Sequence, residues 1–110
     1  MKPGVGVLGS IHMDYVVTLD RMPRLGETVI GRGFKMTPGG KGANQAVAAA
    51  RLGADVYMIG MVGNDVIGDE LIKNFERNRV NVDYVKRAET HSGVALIFVD
   101  SEGNLSLIHI

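Results

Sequence analysis

Residues 39–53 read Gly39-Gly40-Lys41-Gly42-Ala43-Asn44-Gln45-Ala46-Val47-Ala48-Ala49-Ala50-Arg51-Leu52-Gly53, and the fold is decided by what surrounds them. Gly42 to Leu52 is rich in residues that favour a helix, and Gly53 stands where a left-handed C-terminal cap belongs. Before this helix, Val5, Val7 and Leu8 are closed by Gly9-Ser10 and make a core strand over residues 4–9. After it, residues 55–60 with Val56-Tyr57-Met58-Ile59 make another short strand. Strand, helix and strand in this order predict an α/β fold with parallel core strands and an inserted segment ahead of the helix. A second helix is expected from Val66 to Arg79, with Asp65 as N-cap and Leu71, Ile72 and Phe75 on one face. Asp69 and Glu70 suit its early turns and Arg77 and Arg79 its end. The core helix, strand and helix thus occupy residues 40–79.

The remaining segments read as β-structure. Tyr15 to Leu19 is β-branched and aromatic, and the residues from Asp20 to Gly26 form a loop around Pro23. Thr28 to Met36 is interrupted by Gly31 and Gly33, which suits an exposed or bulged strand. Gly93 to Val99 is a strong strand, residues 100–104 a turn, and Leu105 to Ile110 a last strand. An apolar strand needs a neighbour on which to bury its side chains. The chain is therefore expected to be one partial domain over residues 1–110, cut in mid-fold.

Composition narrows the functions. With 45% hydrophobic and 22% charged residues, the chain has the balance of a packed globular domain. Twelve Lys and Arg offset twelve Asp and Glu, so no net field draws it to nucleic acid or anionic lipid. It has no cysteine, hence no disulfide framework or thiolate metal site, which fits a reducing compartment. No apolar run approaches the roughly 20 residues that span a bilayer. No nucleic acid or membrane partner is expected, and cytoplasmic localisation is the default.

Several motifs fail their structural tests. Gly4-Val5-Gly6-Val7-Leu8-Gly9 has dinucleotide-binding spacing, but its glycines fall inside the first strand instead of between a strand and a helix. Gly40-Lys41 is not a phosphate-binding loop, because Gly42 replaces the required Ser or Thr and Lys35 the leading Gly. His12, His91 and His109 lack metal-ligand spacing. Ser10 has no second glycine to make a nucleophile elbow.

Pro38 to Asn44, feeding directly into the helix, admits two readings. A polar ligand can approach exposed backbone N–H groups there, with Lys41 and Asn44 donating to its oxygens and the Asp14 carboxylate accepting from two hydroxyls. Alternatively the glycines form only a tight turn, Lys41 is solvated and Asp14 caps a turn. Asn64-Asp65 divides the same way, and helix capping is sufficient to explain it.

The segments Gly9-Ser10-Ile11-His12-Met13-Asp14, Pro23 to Thr28, Gly39-Gly40-Lys41-Gly42-Ala43-Asn44-Gln45-Ala46, Gly60 to Gly68 and Ser92 to Val99 carry a resemblance. In them the chain resembles the ribokinase-like, or PfkB, carbohydrate kinases across nearly its whole length. The resemblance implies a three-layer α/β/α fold with parallel core strands and a small β-lid, formed here by strands 15–19, 28–36, 93–99 and 105–110. It implies a sugar kinase that transfers the γ-phosphate of ATP to a hydroxyl of ribose or a related sugar. His12, Asp14, Gly39, Gly40, Lys41 and Asn44 would bind that sugar; His12 stands where the family generally places an asparagine. The catalytic base and the sites for ATP, Mg2+ and a monovalent cation would lie in a C-terminal part absent from these residues, leaving this chain inactive alone. The resemblance further implies a homodimer formed through the lid. The alternatives are a stand-alone sugar-binding or lid-assembled module without catalysis, and a fragment of a nucleoside kinase.

Overall fold

A computed structural model describes residues 4–110. In chain order its elements are β1 (Gly4–Leu8), β2 (His12–Thr18), β3 (Gly33–Gly39), α1 (Lys41–Arg51), β4 (Asp55–Gly63), α2 (Val66–Arg77), β5 (Asn81–Ala88), β6 (Gly93–Val99) and β7 (Leu105–His109). They form two compact units. One contains the chain through Met13 together with Pro38–Gly93, and the other Asp14–Thr37 together with Val94–Ile110.

The first unit is a three-stranded parallel sheet in the order β1-β4-β5. Both crossovers step in the same direction across the sheet, so right-handed connections place both helices on one face. There Arg51 Nε donates to Asn78 Oδ1 at 3.0 Å and ties the end of α1 to the end of α2. Side chains alternate along β4. Val56, Met58 and Val62 are buried, as are Ala43 and Ala46 of α1 and Leu71 and Phe75 of α2. On the opposite face Met61 and Tyr84 are each 58% exposed and Leu8 79%.

Small residues let α1 approach the end of β1 closely. A Cβ on Gly42 would lie 2.6 Å from Gly9 Cα and 2.9 Å from Ser10 N, inside any normal contact distance. Gly40 has φ 103°, a conformation that L side chains resist. It has no side chain to cap the helix, and Ser10 takes over that task. Lys41 N–H donates to Ser10 Oγ at 3.1 Å and Ala43 N–H to Ser10 O at 3.0 Å.

The second crossover is held by a buried network. Asp65 Oδ1 accepts the Gly68 N–H at 2.7 Å, the N-cap bond expected for α2. Ser92, 1% exposed, donates its N–H to Asp65 Oδ2 and its hydroxyl to Asp65 Oδ1, each at 2.7 Å, and its Oγ accepts the Gly63 N–H at 2.8 Å. The Ser92 N–H, and then its hydroxyl, hold the Asp65 carboxyl below its ordinary range. Arg87 of β5 donates to Gly63 O at 3.0 Å and to Asp69 Oδ1 at 2.6 Å, which joins β5 to the start of α2.

The second unit is a four-stranded sheet in the order β3-β2-β6-β7, with β6 and β7 antiparallel. Tyr15 and Phe34 stack at 6.0 Å between centroids. The loop after β2 is closed by Arg21, which donates to both Glu27 carboxylate oxygens at 2.5 and 2.7 Å. That pairing, with the Arg24 N–H, lowers the Glu27 carboxyl to about 2. The β6–β7 turn is closed by Asp100 Oδ1, which accepts from the N–H groups of Glu102 and Asn104.

Several expectations change. The strand expected at residues 15–19 is β2, His12–Thr18, and the one expected at 55–60 runs on to Gly63 as β4. The strand expected at residues 28–36 is β3, Gly33–Gly39. Its first residues, 28–32, belong to the loop after β2, which returns to that strand where the Arg32 N–H donates to Thr18 O, and it runs through Pro38 because an edge strand tolerates a missing donor. The second helix ends at Arg77, since Arg79 takes φ 61°. β5 was not anticipated, because Asp83, Lys86 and Arg87 make its segment look like a surface loop until it pairs with β4.

Ser92→Ala should therefore lower stability by about 1–3 kcal/mol, since the Gly63 N–H and Asp65 lose a buried partner; urea unfolding measures it. The Asp65 carboxylate stabilises the fold above its unfolded pKa, and that contribution is lost as pH falls through its depressed folded pKa. Asp65→Asn should flatten the acid limb of a stability-against-pH curve. Gly42→Ala should cost about 1–3 kcal/mol through overpacking against Gly9. Arg79→Gly should raise the urea midpoint, by about 0.5–1 kcal/mol of stability, because glycine takes the left-handed position without a Cβ penalty.

Candidate functional site

Three connections meet at the C-terminal end of the parallel sheet: Gly9-Ser10 after β1, Gly39-Gly40 before α1, and Asn64-Asp65 after β4. In open α/β sheets this is the end at which ligands bind. Here the first unit holds five of the six residues selected from sequence, all but Asp14. Gly39 closes β3 and is buried, Gly40 is buried beside it, and Lys41 is the exposed first residue of α1. Asn44 follows on the same side of the helix, three residues on. It lies on the wall of a cleft of about 250 Å³ shared with Arg51, Asn74 and Asn78.

His12 opens β2, and Asp14 stands two residues later on the same face of the strand. Both are half-buried. The chain passes from the first unit to the second between Met13 and Asp14. His12 is therefore placed by the first unit and Asp14 by the second.

Chemically, Lys41 brings an ammonium with three donors and Asn44 an amide that donates and accepts, which together suit a ligand offering oxygen atoms. Asp14, in the second unit, carries a carboxylate that accepts. Two of the backbone N–H groups at the start of α1 are already engaged. The Lys41 and Ala43 N–H groups are bonded to Ser10. The glycines also have a reason that needs no ligand, because Gly40 and Gly42 are demanded by the close approach of Gly9 and Ser10.

Asp65 is occupied with Gly68 and Ser92, as the capping alternative requires. Among the described residues no group of three or more His, Cys, Asp or Glu side chains is placed to hold a metal ion. No helix there is long and apolar enough to cross a membrane. Sequence reasoning missed Ser10 and Ser92. Ser10 was weighed only as a nucleophile, and nothing beside it in the chain marks it as the cap of a helix that starts 31 residues on. Ser92 carried no local signal.

Comparison with known proteins agrees with this geometry. The profile of the pfkB family carbohydrate kinases matches residues 2–109. A ribokinase of Bacillus subtilis (strain 168) is 52% identical over 103 residues, covering 93% of this chain and 35% of that protein. A deoxyribokinase of Salmonella typhimurium is 43% identical over 107 residues, covering 96% of this chain and 35% of that protein. The chain thus spans about a third of the length of the curated relatives it matches. Among solved structures, an Arabidopsis thaliana ribokinase complexed with ribose and ATP superposes with a TM-score of 0.88 at 33% identity, over all of this chain and 36% of that one. On a family match that runs nearly from end to end, and on a fold that agrees with it, this chain belongs to the pfkB family of carbohydrate kinases.

Proposed function

We propose that this chain is the sugar-binding portion of a ribokinase-type kinase, which transfers the γ-phosphate of ATP to a hydroxyl of ribose or a related sugar. The observation that carries this reading is the start of α1, where Lys41 and Asn44 stand beside two buried glycines at the ligand-binding end of a parallel sheet. The 52% identity to a ribokinase supports it. In this reading Asp14 accepts from sugar hydroxyls, Lys41 and Asn44 donate to sugar oxygens, and His12 contributes a ring nitrogen. Gly39 and Gly40 let the sugar come close to the backbone.

The catalytic base and the sites for ATP, Mg2+ and a monovalent cation belong, on this reading, to the two thirds of the relatives that this chain does not span. On this reading the lid strands would pair with a second copy, and the protein would work in the cytoplasm. The likeness to a deoxyribokinase favours 2-deoxyribose as a second substrate to compare.

Calorimetric titration of the folded 110-residue chain with ribose, 2-deoxyribose, hexoses and nucleosides tests the reading. Saturable binding of a pentose is expected, with affinity at least about tenfold weaker in Asp14→Ala, the loss of a hydrogen bond to a charged group. Preference for nucleosides would move the reading to a nucleoside kinase. A folded chain that binds none of these ligands would overturn a preformed sugar site.

A further inference from the structure

We propose that Ser10 is a positioning residue for the sugar site, holding the first turn of α1 in the orientation from which Lys41 and Asn44 reach the ligand; this rests on the reading of the site given above. The first N–H groups of a helix have no partner within it and are ordinarily satisfied by the residue just before the first turn. Gly40 occupies that place here and makes no side-chain cap. The cap comes instead from a residue 31 positions earlier in the chain, at the end of β1.

Ser10 grips the turn at two points. Its hydroxyl accepts from the Lys41 N–H at 3.1 Å, and its carbonyl accepts from the Ala43 N–H at 3.0 Å. Two acceptors on one residue fix the turn against rotation as well as translation. The turn is also wedged from below, because Gly42 leaves no space for a Cβ against Gly9. Lys41 and Asn44 both project from this gripped segment. Since hydrogen-bond geometry degrades within fractions of an ångström, the orientation of the turn sets how well those two side chains meet one ligand.

Ser10 is itself exposed, so removing its hydroxyl disturbs no core packing. Ser10→Ala keeps the carbonyl grip and loses the hydroxyl, whereas Ser10→Thr keeps both. Amide hydrogen exchange, read by NMR on the 110-residue chain, should speed up at Lys41 in Ser10→Ala on the order of fivefold, the scale of a lost N-cap. Pentose affinity should fall by a similar factor and the thermal midpoint by the few degrees that a lost cap costs, and Ser10→Thr should restore all three. Unchanged exchange at Lys41 would overturn the proposal, as would faster exchange with unchanged pentose affinity. A wild-type chain that binds no sugar overturns the site reading, and the proposal with it. That failure shows before any variant is made, whereas failure of the Ser10 role alone shows only in Ser10→Ala.

Discussion

The strand-to-helix joint between Gly9-Ser10 and Gly40-Gly42 is the constraint from which the rest of the first unit follows. Two backbones meet there at a separation that excludes even a methyl group, and two hydrogen bonds from the helix start converge on one serine. With that joint set, α1 lies low enough for Ala43 and Ala46 to fill the space above the sheet. The short side chains of α1 are thus a consequence of close approach, because a larger residue on that face would lift the helix and undo the serine cap. The same geometry brings Lys41 and Asn44 to the ligand end of the sheet.

The second crossover solves the same problem by different means. Asp65 caps its own helix locally, and Ser92, arriving from far along the chain, closes the carboxylate and the last N–H of β4 into one network. Each such bond contributes roughly 1 kcal/mol net, and more when one partner is charged. The larger effect is on position. Ser92 precedes Gly93, where the chain leaves the first unit, so the network fixes the point at which β6 sets out. In both crossovers a serine from a distant part of the chain completes the hydrogen bonds at the strand-to-helix connection.

The sheet between these joints has two unlike faces. One is covered by α1 and α2, while the other displays Leu8, Met61 and Tyr84. Parallel sheets are ordinarily covered on both faces and carry apolar residues on both. This explains why residues 4–9 and 55–60 read as nearly unbroken apolar runs and not as alternating ones.

Much was legible without coordinates. Local composition determined α1 and its glycine end, the Asp65 cap, and the parallel arrangement of strand, helix and strand, because propensity, periodicity and turn chemistry act over a few neighbouring residues; the grouping of the other strands came only with the family resemblance. The same short range made Gly39, Gly40, Lys41 and Asn44 visible as one cluster. What sequence could not supply was any fact created by distant partners. β5 is a strand because β4 supplies its hydrogen bonds, and β3 begins at Gly33, just after the Arg32 N–H has returned to Thr18 O of β2. Ser10 and Ser92 act on groups about thirty residues away. The glycines before α1 invited a ligand in the sequence, yet tertiary structure showed that packing against Ser10 and Gly9 already requires two of them. Periodicity is a property of neighbours along the chain, whereas a close backbone contact exists only once the chain has folded back on itself.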